Sequence, residues 1–168
     1  TKTMDDSHFK AVSSEQSDLK PVADFLFEVG MLRRTPRTGY QFLGSGQENV
    51  AEHSFRTSVI GYVLASLSGC DWARVVQMCL FHDLHEARTG DFNYVNRMYN
   101  TSDIQAATRD CLGQTGLQEQ ITHALEELEQ SSSPEAVLAQ DADQLDLILS
   151  LKEEQDLGNP YAPKWLHY

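Results

Sequence analysis

Apolar positions recur along this chain at intervals of three and four residues, the spacing that gathers them on one face of a helix. From about Ser17 to Leu32, Leu19, Val22, Phe25, Leu26 and Val29 predict an amphipathic helix, which Pro36 and Gly39 end. Residues 1–16 are polar and carry no period, as a loose N-terminal segment ahead of a single domain over 17–168 would. Arg37 to Gly46 is rich in turn formers, with a short extended piece at Tyr40-Gln41-Phe42-Leu43. A second helix is predicted from about Glu48 to Leu67, closed by Gly69, and Asp71 caps a third. Thr89-Gly90-Asp91 reads as a turn, and the polar stretch after it has only Phe92, Tyr94 and Val95 to anchor it. Ser102 with Gln105 has the spacing of a capping box for a fourth helix to about Leu112, and a fifth runs from Leu117 to Leu128. Ser131-Ser132-Ser133-Pro134 ends in an N-cap and a proline at the first position of a last helix, to about Leu157. Along it Leu138, Ala142, Leu145 and Leu149 form one stripe, with Leu147 and Leu151 on the other side beside Asp143. A helix apolar on two sides is central. With no repeats and no βαβ alternation, the expectation is all-α, a helical bundle.

Charged residues interrupt this pattern at one place. Val75, Val76, Cys79 and Leu80 carry the buried stripe of the third helix, and His82 and Asp83 follow them at spacings of three and seven. Both polar groups therefore extend the stripe instead of facing water. A buried aspartate costs roughly several kcal/mol unless it is paired or coordinates a metal, and a cation is the leading candidate to hold Asp83. His53 shares a face with Val50, Thr57, Ile60 and Leu64, and Asp143 falls inside the two-sided pattern of the last helix. Taken singly, each has an ordinary explanation: a lone inward histidine is usually a satisfied core residue, and an inward aspartate a hydrogen-bonded core carboxylate. Together, His53, His82, Asp83 and Asp143 bring two imidazoles and two carboxylates from three helices, a donor set that suits a first-row divalent ion such as Mn, Fe, Co, Ni or Zn. Neighbours on a straight helix diverge by about 100°, so His82 and Asp83 share one ion only if it lies off the helix end.

Composition narrows the classes of function. A chain of 168 residues, 40% apolar, can bury a full core. Cys70, Cys79 and Cys111 are odd in number and widely spaced, and read as reduced core residues of a cytoplasmic protein. No apolar run approaches the ~20 residues of a membrane span, and no signal-peptide pattern opens the chain. A net charge of −12 argues against nucleic-acid polymers as partners. An anionic substrate would need a local positive site, and Arg33, Arg34 and Arg37 form the one tight basic cluster.

The set His53…His82-Asp83…Asp143 resembles the HD-domain superfamily of metal-dependent phosphohydrolases. Glu48-Asn49-Val50-Ala51-Glu52-His53-Ser54 and His82-Asp83-Leu84-His85-Glu86-Ala87-Arg88-Thr89-Gly90-Asp91 are similar to the longer signatures of its 5′-deoxynucleotidase branch. Asp141-Ala142-Asp143-Gln144-Leu145 resembles that branch's last motif, and the likeness runs from about Ala23 to Leu157. It implies an all-helical fold, commonly a homodimer, that removes phosphate from deoxynucleoside 5′-monophosphates with one divalent transition metal per chain. By motif position, the resemblance makes His53, His82, Asp83 and Asp143 the metal ligands. It makes Glu86 the residue that orients or deprotonates the attacking water, and Asp91 a second acid near the water or leaving group. Arg34, before Thr35-Pro36, matches the arginine that grips phosphate, and Arg37, Asn93, Tyr94 and Arg97 complete a candidate substrate-binding set.

Ordinary readings stand beside these roles. Glu86 and Asp91 also suit a solvated helix end and a turn, and the three arginines suit the C-terminus of the first helix, whose dipole cations offset. Thr35 replaces a bulky aromatic that helps some bacterial members select deoxyribose, and Phe92-Asn93-Tyr94-Val95-Asn96-Arg97 replaces a Leu-Pro-rich segment, which leaves sugar preference open. His85 matches no required role and reads as structural. Other readings are a phosphohydrolase acting on cyclic nucleotides or polyphosphates, a di-iron oxygenase, and a non-catalytic nucleotide-binding module. The di-iron reading requires extra histidines between the two aspartates, where only His85 and His123 lie. The module would be marked by lost ligands, and all four are present.

Overall fold

The computed structural model describes residues 19–166, so the loose segment expected over 1–16 lies outside the described residues. Helices follow in the order α1 (Lys20–Val29), α2 (Val50–Ser68), α3 (Trp72–Phe81), α4 (Glu86–Thr89), α5 (Tyr94–Tyr99), α6 (Ile104–Leu112), α7 (Gln118–Gln130), α8 (Pro134–Asp156) and α9 (Ala162–Trp165). Tight 3-10 turns cover Gly30–Arg33 and Thr38–Phe42, so the extended piece expected at 40–43 is helical instead. No strand occurs among the described residues; one isolated bridge joins Pro36 to Asn49. The all-α expectation holds.

Local chemistry sets the helix ends. Asn49 and Glu52 form a reciprocal capping box at the start of α2: Glu52 N donates to Asn49 Oδ1 (3.0 Å) and Asn49 N to Glu52 Oε2 (3.1 Å). Gly69, at φ 73°, takes the left-handed turn that stops α2. The Asp71 carboxylate accepts from Ala73 N and Arg74 N to open α3, and Ser133 Oγ accepts from Ala136 N at the start of α8. The cap of α6 differs from the expected Ser102. Asp103 Oδ1 accepts from Ala106 N at 2.8 Å, because a carboxylate one residue later reaches the same exposed amides.

The core lies where α2, α3, α7 and α8 meet, and it is built largely from small side chains: Ala65, Val75, Met78, Cys79, Ala124, Ala136, Ala139 and Ala142. Small residues let the helix axes approach. Gly61 is the extreme case, since a Cβ there would lie 2.8 Å from Cys79 Sγ and 3.0 Å from Val75 Cγ1. This packing reverses two expectations from periodicity. Along α8 Ala142 and Leu151 are buried as expected, but the other buried positions are Ala136, Ala139, Asp146, Ser150 and Glu154, while Leu145, Leu147 and Leu149 are exposed. On α3, Met78 takes the interior position and Leu80 is exposed. A second cluster (Phe25, Leu84, Cys111, Leu112 and Ile121) anchors the turn after α3, and a third (Leu43, Leu151 and Ala162) holds α9 against the 38–42 turn.

Gly61→Val is expected to destabilise the protein by about 1–3 kcal/mol through overpacking at α2–α3, which lowers Tm by roughly 3–10 °C. Thermal unfolding followed by circular dichroism reads this, and an unchanged Tm would contradict so close an approach of the two helices.

Candidate metal centre

The capping box of α2 places His53 one turn into the helix, facing inward with 0% of its side chain exposed. Its Nδ1–H donates to Asp146 Oδ2 of α8 at 2.7 Å, which leaves Nε2 aimed at the space between α2, α3 and α8. His82 is the C-terminal cap of α3, and its Nδ1–H donates to the Cys79 carbonyl at 2.8 Å. That bond turns the second ring the same way: the two Nε2 atoms are 3.1 Å apart. Asp83 follows where α3 has ended, so its side chain need not diverge as it would on a continuous helix. Asp83 Oδ2 lies 3.2 Å from His82 Nε2 and 3.6 Å from His53 Nε2. Asp143 Oδ1 lies 3.1 Å and 3.8 Å from Nε2 of His53 and His82, respectively. Buried Leu84 pins the turn that carries this pair.

These separations suit adjacent ligands of one ion, since two donors at right angles about 2.1 Å from a metal lie about 3 Å apart. His53, His82 and Asp143 each bring a donor atom within 4.8 Å of the others, and Asp83 borders the group. With both Nδ1 protons committed elsewhere, each neutral ring presents an Nε2 lone pair, so the residues fit a divalent metal ion. Exposure rises from His53 (0%) through His82 (12%) and Asp83 (14%) to Asp143 (36%), which makes Asp143 the rim and His53 the floor. Asp143 is thus less interior than its apolar surroundings in sequence imply.

Asp146 and Arg56 support the site without belonging to any sequence motif. Asp146 is 1% exposed, and Arg56 binds it through Nε while also pairing with Glu153 at 2.9 Å. Their signal was spacing: Asp146 follows Asp143 by three residues and Arg56 follows His53 by three, so each shares a face with a ligand. Glu48, His53 and Asp146 also bring donor atoms within 4.8 Å. There, however, the His53 proton and Arg56 already satisfy Asp146.

Around this centre the loops bring in the remaining candidates. Arg37 N donates to Glu48 O and Val50 N to Thr35 O, fastening the 35–37 segment to the start of α2. Arg37 Nη1 thereby reaches Asp83 Oδ2 at 3.2 Å. Arg34 caps the preceding 3-10 turn with its side chain exposed, away from this contact. Thr38 stitches the next loop: its N donates to Asp91 Oδ2 at 2.8 Å, and its Oγ1 accepts from Asn93 N at 2.9 Å. Asn93 is buried and caps α5, a helix that sequence periodicity did not reveal, and Tyr94 and Arg97 stand exposed on it. Arg37, Asp91, Asn93, Tyr94 and Arg97 line one cavity of about 220 Å³. Glu86, at the start of α4, is 3% exposed, and its Oε2 has no hydrogen-bond partner among the described residues.

Electrostatics follow from this crowding. Burial opposes charge on His53, but hydrogen bonds to Asp143 and Asp146 outweigh it and raise its pKa to about 9. Burial pushes Asp83 upward, yet His82, Arg37 and His53 overcome this and hold it well below the usual carboxylate range. At Glu86 the cations Arg37 and Arg97 pull the same way but too weakly to prevail. Burial, with Asp83 and Asp91 beside it, pushes its pKa up to about 9.

The family model of the HD domain matches residues 29–164. Among curated proteins, the 5′-deoxynucleotidase HDDC2 of Danio rerio is 31% identical over 144 residues, covering 81% of this chain and 71% of that protein. The protein of the same name from Bos taurus is 32% identical over 141 residues, covering 80% and 68%. Among solved structures, a conserved hypothetical protein from Pyrococcus furiosus matches with a TM-score of 0.75 at 25% identity, over 86% of each chain.

Two outcomes are expected. In metal-stripped protein, His53 and Glu86 hold protons that the unfolded chain releases at lower pH. The stability from His53 is complete below about 6.5 and lost as pH rises through about 9, and Glu86 acts in the same direction. Tm should therefore fall between pH 6.5 and 9 and fall less with a saturating divalent ion, which displaces the Nε2 proton; a flat profile without metal contradicts this. Asp146→Asn should weaken metal binding about 10–100-fold by loosening His53. Calorimetric titration with Mn²⁺ reads this, and unaltered affinity would remove Asp146 from the ligand's support.

Proposed function

The chain belongs to the HD-domain family, and from that premise we propose that it is a metal-dependent phosphohydrolase that removes phosphate from deoxynucleoside 5′-monophosphates. The observation that carries this reading is the buried, unpartnered Oε2 of Glu86, with Asp83, Asp91 and Arg37 as its electrostatic neighbours. A buried polar atom so placed calls for a partner such as a reacting water. The name 5′-deoxynucleotidase borne by the Danio rerio and Bos taurus relatives supports the substrate class.

In this reading His53, His82, Asp83 and Asp143 hold one divalent transition metal per chain, drawn from Mn, Co, Fe, Ni or Zn. When bound, the ion lowers the pKa of a water and polarises a phosphate oxygen. Glu86 takes the proton of the attacking water at Oε2; the protonated form that its raised pKa favours without metal gives way to the carboxylate when a divalent cation sits beside it. As the new oxygen–phosphorus bond forms, the bond to the 5′ oxygen breaks, and Asp91 manages the proton that this oxygen gains. Arg37 offsets the negative charge on the phosphate oxygens from its position on Asp83. Its placement favours it over Arg34 as the phosphate-gripping arginine. Asn93 holds the loop geometry through its cap of α5, while Tyr94 and Arg97 face substrate from the cavity wall.

The protein acts in the cytoplasm as a homodimer in this proposal. Apolar residues left exposed on α2 (Phe55, Val59, Tyr62 and Val63) and on α8 (Leu145, Ile148 and Leu149) support the pairing. No helix of the described residues is long and apolar enough to cross a membrane.

Phosphate release from a panel of ribo- and deoxyribonucleoside 5′-monophosphates, with Mn²⁺, Co²⁺, Zn²⁺ or Mg²⁺ added back to stripped protein, tests the reading. Release favouring the deoxy forms is expected, with kcat lowered about 10²–10⁴-fold by Glu86→Gln and kcat/KM lowered roughly 10–100-fold by Arg37→Ala. No release with any ion, or full turnover by Glu86→Gln, would overturn it.

A further inference from the structure

The cavity that begins at Arg37 and Asp91 does not end at charged groups. Part of its lining is aromatic: Phe42 from the 38–42 turn, Tyr94 from α5 and Trp165 from α9. The three rings touch one another, with centroids 5.4 Å apart for Phe42–Tyr94, 5.5 Å for Phe42–Trp165 and 5.8 Å for Tyr94–Trp165. Tyr94 remains 58% exposed despite these contacts. An aromatic held in place by two others, with its remaining surface open to a cavity, is a platform instead of core filling.

The wall is also braced. Asn159, only 9% exposed, donates from Nδ2 to the Leu43 carbonyl (2.9 Å) and to Ser45 Oγ (2.6 Å). Ser45 Oγ in turn donates to Glu154 Oε2 at 2.6 Å, and Asn159 Oδ1 accepts from Tyr161 N at 2.8 Å. This buried network ties the segment before α9 to the loop after Phe42 and to the end of α8, fixing Trp165 relative to Phe42. The cavity thus carries the cationic groups Arg37 and Arg97, beside the carboxylates of Glu48, Asp91 and Asp146, and an uncharged aromatic surface as well. A ligand with an anionic head and a flat, neutral aromatic tail is complementary to both.

We propose that the Phe42–Tyr94–Trp165 wall is the nucleobase subsite, with Trp165 a stacking residue that makes the enzyme select nucleotides over phosphomonoesters without a base. The inference rests on the nucleotidase reading for the phosphate end and adds the group recognised at the other end. Stacking on a π-face tolerates any base, so this wall discriminates base from no base more sharply than one base from another.

The test compares deoxyadenosine 5′-monophosphate with 2-deoxyribose 5-phosphate, which lacks only the base. In Trp165→Leu and in Tyr94→Leu, the ratio of kcat/KM for the nucleotide to that for the sugar phosphate should fall about tenfold, and Trp165→Phe should restore much of it. A second measurement needs no turnover. The chain has two tryptophans, Trp72 and Trp165. Trp72 lies half-exposed against Tyr62, so in Trp72→Phe the emission of Trp165 is read alone, and deoxyadenosine should quench it saturably. An unaltered ratio in both leucine variants overturns the base subsite and leaves the nucleotidase reading in place. If no nucleotide is hydrolysed by the unsubstituted protein with any ion, that reading fails, and the subsite then stands or falls on the quenching alone.

Discussion

The hydrogen bond from His53 Nδ1 to Asp146 joins α2 to α8 at the floor of the site, 2.7 Å long and excluded from solvent. It sets the ring plane of the least accessible candidate ligand and thereby the direction of Nε2. Asp143 stands one turn before Asp146 on the same helix, so a shift of α8 would move the rim carboxylate and the ring's support together. Arg56 makes this arrangement tolerable: without its guanidinium on Asp146, a third carboxylate would be buried beside Asp143 and Asp83 with only the His53 Nδ1 proton to hold it. The small-residue packing around Gly61 serves the same end, because it holds α3, and with it His82, close to α2.

Two arginines divide the remaining charge. Arg56 lies behind His53 and is spent on Asp146, Ser150 and Glu153. Arg37 lies on the cavity side and is engaged by Asp83 through one nitrogen. The first fixes geometry and the second faces what enters. That division explains why a chain with nearly twice as many acidic as basic residues can take an anionic substrate. Repulsion at long range is screened over about 8–10 Å at moderate salt, whereas the Arg37 guanidinium acts within the cavity it lines, where screening is weak.

Much of the fold was legible because its signals are local. The cap at Asp71, the Ser133-Pro134 start and the Gly69 stop each depend on neighbouring residues alone, and each occurs where periodicity placed it. The inward direction of His53 was legible for the same reason, since Val50 and Thr57 flank it on one face. The interior of α8 was legible only at Ala142 and Leu151. Leucine spacing pointed to Leu145 and Leu149, but helices packed as closely as α2, α3 and α8 accept Ala136, Ala139 and Ala142 at the contact and turn the leucines outward. Size of the facing side chains, a property of the partner helices, decided which stripe was buried. Helix α5 escaped notice because its six residues bury none of their own number, so no apolar period marks it. Only the cap from Asn93 to Asn96 N does.

The candidate site shows the same division between local and distant causes. His82 and Asp83 stood out by type and neighbourhood, yet how adjacent residues can serve one ion depends on α3 ending at Phe81, so that Asp83 belongs to a turn anchored by Leu84. The choice between Arg34 and Arg37 depends on the bridge that ties the 35–37 loop to Glu48 and Val50. Motif position favoured Arg34; the backbone bonds deliver Arg37 to Asp83. Trp165 lies more than 100 residues from His53 in sequence and carries no motif, so only the folded chain connects it to the cavity of Arg37. Chemistry-bearing residues announce themselves by type, whereas those that orient a ligand or wall a cavity become visible only once the helices that carry them are packed.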